Sequence, residues 1–572
     1  MARKDVHYEV FLKKHKKASW TLVEALPDRQ EALDLAHRLK SRHAKGSVRV
    51  QREHWIAEEN AFRGGTIFEA GPERFTEPKD KTGEASIPCL TPDDLAGPAA
   101  RETVRRVLSG WLERKQVGPL ELLHRPDLIE ELDSSDTDLQ QAVQKVAIAR
   151  SQSSEGSVHA YVRVVNDLVE KGVAQARREA KAAKKPPKAR GFAELSEKIL
   201  AEGSPEKRLR KAIAERLSNA RDFGAKTGML LDFHDDLPHS PDAREFAARE
   251  TDNFLAEMLS FDGAMRAMLG KTEDLGEDVE RLTAVYEGSP EGPDLLDAPE
   301  TARRLAEKFA DKTLPGAHIE VAKRILDALR APKRFRPASV MKEIELARKL
   351  AQRLIVASGP NLHPDNLVDA FTHRSAKLLA PDAVEEALAN SADIAEQIER
   401  LYKMEDNLVG EQNKKKLAAY IRGKLKSTQA ESFFVRGAGS PLERLSRLTA
   451  LQARALKGAF PPGDKTELAE EFDRVGMLVL DESKVLSRLT QTDKPPLEQA
   501  RALLKLAAGG VLPTGRCSQD AQARAMRLLA GDMARSAAGL PENRATVTEI
   551  QTLLTALKPK PVEGAGEAKQ AG

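Results

Sequence analysis

The 572-residue chain holds 91 Lys and Arg against 88 Asp and Glu, and the formal charge of +3 excludes a global field that recruits polyanions. Its two cysteines, Cys89 and Cys517, sit in neither a CxxC nor a His-rich setting, which excludes a disulfide framework or structural zinc site and fits a reducing compartment. Hydrophobic residues make up 41% of the chain but aromatic residues only 4%, so Ala and Leu fill the interior and a mainly helical protein is expected.

At ~150 residues per domain the length predicts roughly three to five folding units. No run approaches the ~18 apolar residues of a membrane span, and MARKDVHYEVFLKKHKK lacks an apolar signal core. A cytoplasmic protein without transmembrane insertion is expected.

Residues 1–70 differ in kind from the rest. Val6, Tyr8, Val10 and Leu12 alternate with His7, Glu9 and Phe11, KKHKK makes a basic loop, and Trp20, Leu22 and Val23 begin a second extended run. Asp28 is placed to cap a helix whose Ala32, Leu35, Ala36 and Leu39 share one face. Extended runs around Val48–Trp55 and Phe62–Phe68 complete a ββαββ order, a small α+β head that does not match the duplicated ferredoxin-like order.

Residues 71–94 are rich in Pro, Gly, Lys and Glu and read as a linker. Helical periodicity then predicts domains at 95–178, 192–330, 338–426 and 427–557, with a basic linker at 179–191 and a disordered tail at 558–572. The helix opening at Ala338 is the clearest: Val340, Ile344, Ala347, Ala351 and Leu354 share a face, Glu345 and Lys349 form an i,i+4 pair, and Gly359-Pro360 ends it. A break is also expected between TELAEEFDRVG and MLVLDES. AARET occurs twice without a sustained register, so the fold class is mainly α: the head, then an extended array of helical hairpins or bundles rather than a regular repeat.

Three phrases invite catalytic readings. Asp369–Ser375, DAFTHRS, resembles the opening signature of ribonuclease III domains, which implies divalent-metal phosphodiester hydrolysis by acids that follow it. Glu399, Asp406, Glu470 and Asp473 occupy or approach those places, but Tyr402 stands where the family has another glutamate, Glu405 replaces a glycine, and Gly476 is one residue too close to its acids. Outside that resemblance, His373 and Arg374 read as surface groups at a helix end.

Gly270-Lys271-Thr272 ends like a phosphate-binding loop, but the nearest upstream glycine, Gly263, is two residues too far. MLVLDES looks like an apolar strand ending in Asp481 and Glu482, or else a helix starting at Asp481. The cluster Asp232, His234, Asp235, Asp236 and His239 has metal-ligating chemistry without the partner His and Asp that a metal phosphohydrolase needs.

None of these constellations is intact, so the chain reads as a non-catalytic scaffold or adaptor with no cofactor and a protein partner. The alternative is nucleic-acid association through local basic patches. Its candidate binding residues are Lys13, Lys14, Lys16 and Lys17 in the first loop, Lys333, Arg334 and Arg336 around Phe335, and Lys414, Lys415 and Lys416, with Phe335 or Trp20 available to stack on a base.

Overall fold

The computed structural model describes residues 6–14, 20–43, 46–56, 61–70, 89–135, 137–153, 157–182 and 186–557. Lys16, Lys17, the expected tail and most of the 71–94 linker lie outside the described residues. Contacts divide the chain into two units, Met1–Pro88 with Val143–Val165, and Cys89–Ala142 with Asn166–Gly572.

In the first unit, β1 (Val6–Lys13), β2 (Thr21–Leu26), α1 (Arg29–Arg42), β3 (Ser47–Ile56) and β4 (Ala61–Ala70) give the expected ββαββ order. The four strands form an antiparallel sheet in the order β2-β1-β3-β4. Alternation sends Val10, Leu12, Val48 and Val50 to one face, where they bury against Ala32 and Ala36 of α1. Asp28 caps α1, its Oδ1 accepting from the Glu31 N–H at 3.0 Å.

Among the described residues the second unit is built of helices, with no named strand, and none of the described helices is long and apolar enough to cross a membrane. It has two apolar cores. One gathers residues from Leu108 to Phe371, taking side chains such as Trp111 and Phe192 from both sides of the basic 179–191 segment. The other runs from Val340 to Ile550.

The helix Val340–Val356 belongs to both. Val340 and Ile344 enter the second core, while Leu346, Leu350 and Leu354 enter the first. The clearest helix in the sequence is therefore the seam of the array. Lys349 does not pair along the helix with Glu345 as expected; it reaches Glu280 at 2.7 Å and Asp294 at 3.7 Å.

Gly476 does not break its helix. TELAEEFDRVG and MLVLDES form one helix, Pro462–Ser483, so Asp481 and Glu482 end a helix rather than follow a strand or begin a helix. Glycine usually weakens a helix interior by about 0.5–1 kcal/mol. Here a Cβ would come within 2.8 Å of Cys517 Sγ and Pro513 Cγ, so the bare backbone lets the helix Arg516–Ala530 pack closely.

Helix ends in the array are closed by side chains from other helices. Asp236 accepts from the Phe192 N–H at 2.5 Å, Glu257 from Leu120 at 2.7 Å, and Glu386 from Val340 at 2.9 Å. Asp252 takes the Gly316 and Ala317 N–H groups, and Asp473 those of Arg516 and Cys517. Each carboxylate satisfies orphan donors and meets the positive end of a helix dipole.

Cations close the opposite ends. Arg281 donates to the Leu269 carbonyl, Arg324 to Ser260, Arg400 to Ala387 and Asn390, and Arg474 to Leu425. Asp473→Ala is expected to cost about 1–2 kcal/mol by orphaning two helix-terminal N–H groups. A thermal melt checks it, and an unchanged midpoint would contradict the capping role.

Candidate functional site

The acids of the ribonuclease-like reading do not form a common site. Glu399 and Glu470 are exposed, Asp406 pairs with Arg454, and Asp473 is spent on the helix end at Arg516. Tyr402 is buried and donates its hydroxyl to the Leu451 carbonyl at 2.9 Å. Among the described residues no group of three or more His, Cys, Asp or Glu is placed to hold a metal ion.

Arg374 corrects the surface reading of its phrase. His373 is exposed, but the Arg374 side chain is only 2% exposed. Its guanidinium donates to the carbonyls of Ala328, Leu329, Ala331 and Lys333 and to Glu343 Oε1 at 3.1 Å, closing the end of the helix Pro315–Arg330. It lies 3.7 Å over the ring of Phe335, which is itself fully buried and so is not a platform for a base.

The aspartates around His234 likewise diverge. Asp232 and Asp235 hold Arg304 at 2.8 and 2.6 Å, Asp235 also holds Lys308, and Asp236 caps Phe192. His234 is buried and its pKa is lowered by desolvation, while His239 is exposed. Gly270, with φ of 75°, ends the helix Asp262–Leu269, and Thr272 donates to Asp278 at 2.7 Å.

The basic candidates separate by surroundings. Arg334 pairs with Glu343 and Glu386, and Arg336 with Asp274 and Glu280, while Lys333 is exposed. Lys414 reaches Glu405 at 3.1 Å and Lys415 reaches Glu411 at 2.7 Å. Lys416 is exposed beside Tyr420 and Lys424 in a shallow groove. Lys13 is half-buried and Lys14 exposed on the head.

A deeper opening than the groove beside Lys416 lies in the second unit. A cleft of 860 Å³ is formed where the helix Val158–Ala182 passes the helix Pro205–Leu217 and the end of Pro119–Leu123. Leu123, Ile199, Ala176 and Ala212 give it apolar ground. Its charged rim is already paired: Lys207 with Asp93 at 2.8 Å and Glu179 at 3.4 Å, Arg208 with Glu202, and Lys211 with Glu215 at 3.7 Å.

His124 and Lys207 also border an adjoining apolar cavity of 190 Å³, lined by Leu108, Leu122, Leu132 and Val173. Burial, reinforced by the cations Arg210, Lys207, Arg101 and Lys211, pushes the His124 pKa down to about 3 and keeps the ring neutral.

A buried ionic group helps to hold the elements around this region. Glu257 joins Arg101 at 3.2 Å, and burial raises its pKa to about 7. The fully buried Glu250 accepts from Arg210 at 2.6 Å. Lys226 spans the Gln116 carbonyl at 2.6 Å and both oxygens of the buried Glu121 at 2.8 Å. The sequence reading missed all of these, because isolated Glu and His residues inside amphipathic helices carry no local signal of burial.

No family model, curated protein or solved structure matches this chain.

Proposed function

We propose that the chain is a non-catalytic helical scaffold that binds an amphipathic segment of a partner protein in the 860 Å³ cleft. The observation that carries this reading is the make-up of the cleft, apolar ground inside a rim of both charge signs, opening beside an apolar cavity of 190 Å³. Such a surface suits a polypeptide that buries an apolar anchor and lays mixed charges along the rim. The rim charges, already paired, would serve register and specificity more than affinity.

Ala180→Trp places a ring in the cleft from an exposed helix position. The native partner, recovered by affinity capture and then purified, is expected to bind this variant at least about tenfold more weakly in direct titration, with an unchanged melting temperature. Equal affinity for both forms would sink the cleft as the binding surface.

A further inference from the structure

Positive charge is unevenly distributed along the chain. Residues 1–70 hold fourteen Lys and Arg against ten Asp and Glu, so the head accounts for the whole positive excess.

The fold gathers part of that charge at one end of the head. The end of α1, with exposed Arg42 followed by half-buried His43, leads to Gly46, which lies against Lys13 at the end of β1 and Lys14 just after it. Gly46 permits this approach: a Cβ there would lie 2.8 Å from the Lys13 carbonyl oxygen and 3.2 Å from that of Lys14. Lys40 secures the turn by donating to the Gly46 carbonyl at 2.9 Å. Two basic segments more than twenty-five positions apart in the chain thus share one edge.

That edge continues onto the sheet face opposite α1. Phe11 pairs across the strands with Leu22 on one side and Arg49 on the other, and its alternation with Val10 and Leu12 turns it away from the core under α1. The Arg49 guanidinium lies 4.5 Å over the Trp20 ring. Leu22 is 48% exposed. A cationic edge leading onto a face with aromatic rings and a guanidinium plane combines the two elements that hold unpaired nucleotides: charge for phosphate and flat groups for bases.

We propose that the head binds single-stranded nucleic acid, with phosphates at the Lys13–Lys14 and Arg42–His43 edge and bases against the Trp20–Arg49 and Phe11 face. Duplex is disfavoured because its bases are stacked on one another and present no free ring to that face. An acidic polypeptide would satisfy the edge but leave the rings unused.

The test is fluorescence anisotropy of a labelled twelve-residue oligothymidine and its RNA counterpart with the full chain. Binding is expected at about 50 mM salt and should weaken by about tenfold or more at about 200 mM. The double substitution Lys14→Glu with Arg42→Glu, both at exposed positions, should abolish it, and Trp20→Ala should weaken it about fivefold or more. Gly46→Ala keeps every charge but forces the two segments apart, and should also weaken binding. Circular dichroism of each variant confirms the fold, and the double variant decides the matter should Gly46→Ala unfold the head. Absence of binding at low salt, equal affinity for a duplex of the same length, indifference to the charge reversal, or equal displacement by polyglutamate would each overturn the proposal.

Discussion

Arg374→Met is expected to lower the unfolding free energy by about 3–5 kcal/mol, a large loss for one side chain. The guanidinium serves four carbonyls at the end of the helix Pro315–Arg330 and one oxygen of Glu343, whose side chain is 1% exposed. Methionine fills similar space over Phe335 but donates nothing, so the Leu329 and Lys333 carbonyls lose their guanidinium donor, while Ala331 keeps Lys377 and Ala328 keeps the Ala331 N–H. Glu343 then keeps only Arg334, at 3.0 Å. The double substitution Arg374→Met with Glu343→Leu removes the stranded charge and should recover part of the loss. Denaturant titration of the wild type and both variants measures this, and a single variant as stable as the wild type would show that the buried guanidinium is dispensable.

The buried groups around Arg101 should give stability an unusual dependence on pH. His124 has a folded pKa of about 3 against an ordinary 6.5, so its contribution is present above 6.5 and is lost as pH falls toward 3. Glu257 is shifted the other way, from 4.5 to about 7, so its contribution is present below 4.5 and is lost as pH rises through 7. Between pH 4.5 and 6.5 the two slopes, each up to about 1.4 kcal/mol per pH unit, oppose each other. Substitution separates them. His124→Leu should leave a protein whose stability increases on acidification across that window, whereas Glu257→Gln should leave one whose stability decreases. Melting temperatures at half-unit pH steps test this, and parallel profiles for the two variants would refute the opposed shifts.

The head was legible because its signals are local. Alternation in Val6–Leu12, the cap at Asp28 and the one-sided Ala32 and Ala36 each act within a few residues, and each appears in the fold. The same holds for the helix from Val340 and its stop near Gly359. What the sequence hid was the use of its charges. Asp236 and Phe192 are 44 positions apart, and Asp473 and Arg516 are 43, so no periodicity links a carboxylate to the helix end that it closes.

Motif reading failed for the same reason. Asp473 looked like a metal ligand and Arg374 like a surface group, because sequence shows a side chain's chemistry but not the backbone groups it meets. Gly476 misled in a related way: it looked like a helix break, and its purpose is a close approach to Cys517 and Pro513. The cleft had no motif at all, since Leu123, Ala176, Ile199 and Ala212 come from four separate helices.

The most direct measurement places a photo-crosslinking phenylalanine analogue at position 180, in the cleft, and in a second protein at position 356, where Val356 is 86% exposed and does not line the cleft. Irradiation in the native cell followed by mass spectrometry of the adducts is predicted to give one dominant partner from position 180, joined through an amphipathic segment, and none of that partner from position 356. Adducts to the same protein from position 356 and not from position 180 would contradict the scaffold reading of the cleft.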